Sequence, residues 1–234
     1  MWDEDSFENY QTAADNVLDE PKFYNVKEGL SKLAKGELFG LAAVALIAID
    51  EIAWMYIGES FSIVANIVSI IAAVIVIASL VLNVQGLNLA KRDVDEFQNL
   101  LVFYVVALSC SFLGGLIDGG AGNLLNITSS ILRIIYEFKL LKNIADILQT
   151  VGKAETTKKV LQFRRFLIFY YVFTLVITIA ESIITTFLFA NNFSEHIYDV
   201  YINVEIVLYF LQLALAIYAA IRTYTTLKEA EKAL

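Results

Sequence analysis

Residues 61–84 read FSIVANIVSIIAAVIVIASLVLNV and contain no charged side chain. A helix needs about 20 apolar residues to cross the hydrocarbon core of a bilayer, which is roughly 30 Å thick. This stretch is therefore long and apolar enough to span a membrane, with lipid as the solvent around its side chains. We predict a transmembrane helix here.

The composition of the whole chain extends this prediction. Of 234 residues, 58% are apolar or aromatic and only 18% are charged, whereas soluble domains carry roughly 25% charged residues. Six apolar stretches, at about 20 residues each, take up more than half of the chain. They lie near 38–57, 61–84, 99–118, 122–141, 166–190 and 199–221. The fourth is the most polar, since it contains Asn126, Arg133, Glu137 and Lys139.

The distribution of lysine and arginine predicts how these spans are threaded. The connectors near 58–61, 119–121 and 191–198 contain neither residue, whereas the alternate segments are basic. Those segments carry Lys22, Lys27, Lys32, Lys35, Lys91, Arg92, Lys139, Lys142, Lys153, Lys158, Lys159, Arg164, Arg165, Arg222, Lys228 and Lys232. Because basic residues mark the cytoplasmic side, six spans place both termini in the cytoplasm. We expect a multi-pass protein of a prokaryotic cell membrane.

This threading divides the chain into three segments. Residues 1–21 form an acidic N-terminal cytoplasmic segment with no lysine or arginine. Residues 22–37 form an amphipathic helix, with Val26, Leu30 and Leu33 on one stripe, that we expect to lie in the membrane interface. Residues 38–234 form a six-helix transmembrane domain with cytoplasmic helical extensions.

The spans show a weak threefold repeat. Each odd-numbered span carries an acidic residue in its outer portion, and each even-numbered span carries an asparagine near its outer start. We interpret the six spans as three helical hairpins. The predicted fold class is therefore all-α, a polytopic integral membrane bundle of six transmembrane helices preceded by the amphipathic interfacial helix.

Polar residues in the outer half of the spans form the predicted site for a substrate or an ion. They are Asp50, Glu51, Asp118, Glu181, Glu205, Asn66, Asn126 and Asn203. Several of them lie roughly 9 to 14 Å below the outer surface, at 1.5 Å of rise per residue. Carboxylates held near one another in low dielectric can exchange a proton or bind a cation. Alternatively, such polar residues join helices by hydrogen bonds, with the acids protonated or paired with Arg133.

Two features of this region concern single helices. Asp50 and Glu51 are adjacent and so about 100° apart on a helix, which prevents both from facing one cavity. Glu51 is preferred, because it shares its face with small residues that favour close helix contact. Arg133 and Glu137 are spaced i, i+4 on the fourth span and are a candidate structural ion pair.

Other motifs are assigned to structure rather than to chemistry. The glycines between 114 and 122 lack the lysine and the serine or threonine of a phosphate-binding loop, and we expect them to let spans three and four pack closely. The single Cys110 and the single His196 exclude an internal disulfide, a Cys-based zinc site and paired-histidine haem ligation. No cofactor or catalytic residue is predicted, and whether a metal binds stays open.

Three functions of different classes remain. The first is a small transporter or channel-like unit with an outward-facing acidic cavity for a proton, a cation or a small cationic solute. The alternative is a non-catalytic scaffold or interaction protein that acts through its N-terminal arm and cytoplasmic helices. An intramembrane enzyme ranks last, because no nucleophile with a base partner is visible. The expected partners are the lipid bilayer and a second copy of the chain or another membrane protein; the net charge of −8 disfavours nucleic acid.

Overall fold

The computed structural model describes residues 22–57, 62–117, 120–191 and 195–234. Within these ranges the chain is helical apart from short turns, and no strand occurs. The described residues form six helices: α1 (Tyr24–Ile57), α2 (Ser62–Ala90), α3 (Glu96–Leu116), α4 (Gly120–Thr150), α5 (Ala154–Asn191) and α6 (Glu195–Ala233). The predicted all-α fold is confirmed for this part of the chain.

Consecutive helices pack in antiparallel pairs. Along α1 and α2, Asn25 meets Asp93, just beyond the end of α2, at one end of the pair. Asp50 meets Ser69 towards the other end. Helices α3 and α4 also pack against each other in an antiparallel sense, and so do α5 and α6.

The contacts between helices close a ring. Each helix contacts the next along the chain, α1 contacts α6, and α4 also touches α6. Helices α1 and α4 stand on opposite sides of this ring and share no close backbone contact within the described residues. Side chains that interact between α1 and α4 therefore point into the ring interior.

The packed core lies at one end of the ring. Its fully buried side chains include Leu30, Leu87, Phe97, Leu148 and Leu227, all in one cluster. We call this end the basic end, and it consists of residues 22–35, 85–100, 139–167 and 219–234. Every lysine and arginine except Arg133 falls in these segments. Since burying one large apolar side chain stabilises a fold by about 1.5–3 kcal/mol, the basic end holds the six helices together.

The middle of the helices shows the opposite pattern, because many large apolar side chains there are exposed, as at Ile70, Val74 and Ile77 of α2. Within the described residues, four helical stretches are long and apolar enough to cross a membrane. They are Val64–Ala90, Glu96–Gly114, Ala154–Ile177 and Ile206–Ala233. An apolar surface of this extent is satisfied by lipid rather than by water. These helices support a membrane location.

The first and fourth predicted spans, 38–57 and 122–141, are not among these four stretches of the described chain. The fourth range contains Arg133, Glu137 and Lys139, which make it less apolar. The first range contains the adjacent acids Asp50 and Glu51. Six membrane spans therefore stay a prediction.

Helix α1 differs from the sequence prediction in two ways. A single helix runs from Tyr24 to Ile57, so no helix end separates the segment 22–37 from the predicted first span. The stripe of Val26, Leu30 and Leu33 is buried in the protein core. Its periodicity identified an apolar face, but periodicity does not distinguish a protein core from a membrane interface.

A tight turn joins α4 to α5. Gly152 has a φ of 75°, a left-handed conformation that glycine adopts without steric cost. Its N–H donates to the Gln149 carbonyl at 3.1 Å, and the N–H of Lys153 donates to the Leu148 carbonyl at 2.8 Å. This Schellman motif satisfies the last carbonyls of α4 and directs the chain back into the core as α5.

A carboxylate from the turn between α2 and α3 caps the start of α1. Asp93 accepts a hydrogen bond from the backbone N–H of Val26 at 3.0 Å and another from the side-chain amide of Asn25 at 2.7 Å. The first N–H groups of a helix lack partners within the helix, and its dipole favours an anion there. Asp93 therefore ties α1 to the α2–α3 turn.

We expect Asp93→Ala to lower the free energy of unfolding in detergent micelles by about 1–2 kcal/mol, because the start of α1 loses its acceptor. Asp95→Ala is the matched control, since Asp95 lies in the same turn, is exposed and makes no capping hydrogen bond through its side chain. Unfolding by heat or by added dodecyl sulfate measures the difference. Equal losses from the two substitutions would contradict the cap.

Candidate functional site

The structure describes only part of the predicted outward-facing site. Asp118 lies outside the described residues. The helices include Glu51, Glu181, Asn203 and Glu205, but the side chains of these four residues lie outside the described part of the chain. The described members of the site are Asp50, Asn66 and Asn126.

Asp50 faces the neighbouring helix α2. The Ser69 hydroxyl donates to Oδ2 of Asp50 at 3.5 Å, which is a long hydrogen bond. The other oxygen, Oδ1, is buried and has no hydrogen-bond partner among the described residues. Because a buried acceptor without a donor is costly, a donor group or a cation of a solute would satisfy this oxygen.

Asn66 and Asn126 are exposed. The Asn126 amide lies against Gly114 of α3, where an added Cβ atom would collide with it. A Cβ atom on Gly122 would lie 2.9 Å from the Gly114 carbonyl oxygen, so these glycines let α3 and α4 pack closely, as the sequence predicted. Among the described residues, no hydrogen bond joins either asparagine to Asp50.

A second polar group lies inside the ring, closer to the basic end. On α4, Arg133 Nε and Glu137 Oε1 are 3.3 Å apart, which is the i, i+4 pair that the sequence indicated. The Tyr171 hydroxyl of α5 donates to the other oxygen, Oε2 of Glu137. Side chains from two helices therefore hold both oxygens of this carboxylate.

Glu37 of α1 interacts electrostatically with this pair. Its carboxylate lies within electrostatic range of Glu137 and Arg133, although α1 and α4 are not neighbours. Two carboxylates thus share one guanidinium. When all three groups are ionised, this part of the interior carries one excess negative charge.

Tyrosines surround these charges. Tyr104 of α3 and Tyr136 of α4 pack with their ring centroids 5.2 Å apart, and both interact electrostatically with Glu37. Tyr170 and Tyr171 of α5 lie beside the ion pair of α4. A tyrosine offers both an apolar ring and a polar hydroxyl. We call the three charged residues and these four tyrosines the interior cluster.

The packing of α1 against α2 orients Tyr104. The side-chain NH2 of Asn83, on α2, donates to the Tyr104 hydroxyl at 3.0 Å. Gly36 provides the space for the Asn83 amide, since an added Cβ atom would collide with it. The Ser79 hydroxyl donates to the Gly36 carbonyl at 2.8 Å. These contacts hold Tyr104 in the layer that contains Glu37.

Two charged groups of the cluster retain unused hydrogen-bonding capacity. The Arg133 side chain keeps 71% of its surface accessible and contacts Glu137 only through Nε. Its terminal Nη groups have no acceptor among the described residues. Glu37 is half-buried and forms neither a hydrogen bond nor an ion pair within the described ranges. Both groups are therefore available to hydrogen-bond with a solute.

Sequence reasoning missed Glu37 as a site residue. It is the last residue of the segment predicted to lie in the membrane interface, between Lys35 and the apolar stretch from Leu38, and an acid beside lysines is typical of a solvated helix face. The available signal was Gly36 and Gly40 on the same helix. Glycines in a transmembrane helix indicate close helix contact, which makes a charge beside them an interior candidate.

No family model, curated protein or solved structure matches this chain. The class of this protein is therefore assigned from its helical fold and its apolar surface. Over the ranges that the structure describes, it is an all-helical bundle with four apolar helical stretches compatible with a membrane protein.

Proposed function

We propose that this protein is a small transporter or channel-like unit that moves a proton, a cation or a small cationic solute through the interior of its helix ring. The interior cluster is the observation that carries this proposal. Charged side chains are costly inside a membrane and commonly line the pathway of an ion or a substrate. The excess negative charge of Glu37 and Glu137 over Arg133 favours a cation.

Acidic residues at two levels of α1 support a path along the ring. Glu37 and Asp50 are 13 residues apart, about 20 Å at 1.5 Å per residue. In this proposal the outer entrance is formed by Asp50 with Glu51, Asp118, Glu181, Glu205, Asn66, Asn126 and Asn203. A cation that enters there meets the interior cluster before it reaches the basic end.

The proposal includes six membrane spans in three hairpins, with both termini in the cytoplasm of a prokaryotic cell. Replacing Cys110 with serine leaves a chain without cysteine, into which single cysteines are introduced. We expect Ser194→Cys to react with a membrane-impermeant maleimide on intact cells, and Ser6→Cys and Lys232→Cys to react only after lysis. Labelling of Lys232→Cys on intact cells would contradict this topology.

Flux through liposomes that contain the full chain tests the function. We expect uptake of radiolabelled methylammonium, or of protons measured with an enclosed pH-sensitive dye, above that of empty liposomes. Glu37→Gln should reduce the flux about tenfold, because the cation loses a charged contact. Glu155→Gln is the control, since Glu155 is exposed on the basic end. Uptake equal to that of empty liposomes would contradict the proposal.

The distribution of packing favours a membrane scaffold or interaction protein as a second candidate function. The core is concentrated at the basic end, which carries 16 of the 17 lysines and arginines and eight acids. Such a surface suits an acidic protein partner or anionic lipid headgroups. Deleting residues 1–21 should then release a co-purifying membrane partner while the bundle stays folded. Retention of every partner would contradict this alternative.

A further inference from the structure

The unused groups of the interior cluster have opposite charge and interact electrostatically with each other. The Glu37 carboxylate can only accept hydrogen bonds when it is ionised, whereas the Nη groups of Arg133 can only donate them. A simple cation would satisfy Glu37 and leave Arg133 unused, and a simple anion would do the reverse. A molecule that carries both an ammonium and a carboxylate group satisfies both.

We propose that the interior cluster binds a small zwitterion, with its carboxylate on the Nη groups of Arg133 and its ammonium group on the carboxylate of Glu37. This inference rests on the proposed function, because it names the class of solute that the ring interior would carry. It also narrows the class of solute in that function. The solute is then a molecule without net charge, and its ammonium end is the cationic group.

The contacts of Arg133 prepare it for a carboxylate. Glu137 binds Nε and is itself held by the Tyr171 hydroxyl, so the guanidinium is fixed at one edge. The Nη groups remain accessible. A planar guanidinium binds a carboxylate through two parallel hydrogen bonds, which gives geometric specificity as well as affinity.

The surroundings of Glu37 suit an ammonium group. The adjacent rings of Tyr104 and Tyr136 supply aromatic faces, which attract cations, and Asn83 orients the Tyr104 hydroxyl. A zwitterion also leaves the net charge of the interior unchanged. The electrostatic cost of moving it out of bulk water is therefore lower than for a lone ion.

A panel of matched compounds tests this on the unmodified full chain in lipid nanodiscs. The zwitterions are glycine, β-alanine and γ-aminobutyrate, whose charges are separated by increasing distances. Butylamine and butyrate are the amine-only and carboxylate-only counterparts of γ-aminobutyrate, and methylamine and acetate serve the same purpose for glycine. Titration calorimetry and thermal unfolding measure binding. We expect at least one zwitterion to bind about tenfold more tightly than both of its counterparts.

Two substitutions connect the binding to the residues. Arg133→Lys keeps the charge but loses the planar fork, so it should remove the preference for the zwitterion over the amine. Glu37→Gln should weaken the zwitterion and the amine together. Arg165→Lys and Glu155→Gln are matched controls at exposed positions of the basic end and should leave binding unchanged. If a variant fails to fold, the comparison of compounds on the unmodified protein still decides the inference.

The outcomes separate this inference from the proposed function. If amines bind and are taken up to the same extent as zwitterions, the cation pathway stands and the zwitterion site is wrong. If a zwitterion binds selectively but no compound crosses the liposome membrane, the site stands and transport is wrong. If none of the compounds binds, the zwitterion site is wrong.

Discussion

Arg133→Gln should lower the free energy of unfolding by about 1–3 kcal/mol, because it leaves Glu137 and Glu37 facing each other without a cation. A fully buried ion pair would lose more when one partner is removed. The accessible surface of Arg133, at 71% of its side chain, reduces the expected loss, since solvent screens the remaining charges. Unfolding by dodecyl sulfate in mixed micelles measures the effect.

A double-mutant cycle with Glu137→Gln isolates the pair. We expect the double variant, Arg133→Gln with Glu137→Gln, to be more stable than Arg133→Gln alone, because the uncompensated carboxylate is removed together with its partner. Lys159→Gln is the control, since Lys159 pairs with Glu155 and Glu229 on the exposed basic end. It should change stability by less than about 1 kcal/mol. Strictly additive effects of the two interior substitutions would contradict a coupled pair.

The parts of this structure that sequence predicted are those that depend on local composition. A long uncharged stretch such as 61–84 indicates a membrane helix by itself, and α2 covers most of that range. The Arg133–Glu137 pair was visible for the same reason, because an i, i+4 spacing places two side chains together on any helix. Neither inference requires knowledge of how the helices pack.

The role of Glu37 depends on packing and could not be predicted in this way. Its partner Arg133 lies 96 positions further along the chain, on the opposite side of the ring. The burial of Val26, Leu30 and Leu33 could not be predicted for the same reason. Their spacing shows an apolar face but does not show whether protein or lipid covers that face. Contacts across the ring interior are a property of all six helices together.

Because packing brings Glu37 near Arg133, the candidate solute site lies closer to the basic end than the sequence predicted. The sequence placed the solute site in the outer half of the spans, where Asp50 is the acid whose side chain the structure describes. The interior cluster instead lies nearer the basic end, between a packed core and an apolar surface. A rigid core beside the charged groups can hold them at fixed positions, as selective binding requires.

The closest backbone approach between α1 and α2 gives the second large expected effect. A Cβ atom on Gly29 would lie 2.5 Å from the Gly86 carbonyl oxygen, and one on Gly86 would lie 2.7 Å from the Gly29 carbonyl oxygen. Backbone atoms cannot move aside as a flexible side chain can. Gly29→Ala should therefore push the two helices apart and lower the free energy of unfolding by about 1–3 kcal/mol.

Gly40→Ala is the matched control on the same helix, and it should have the opposite sign. An added Cβ atom there would lie 3.5 Å from the Ser79 hydroxyl oxygen, which is an ordinary contact distance. Alanine in a helix interior is favoured over glycine by roughly 0.5–1 kcal/mol, so Gly40→Ala should be neutral or stabilising. Thermal unfolding in detergent compares the two variants. If Gly29→Ala were no less stable than Gly40→Ala, the close backbone approach at Gly29 and Gly86 would be wrong, and so would the position of α1 that brings Glu37 near Arg133.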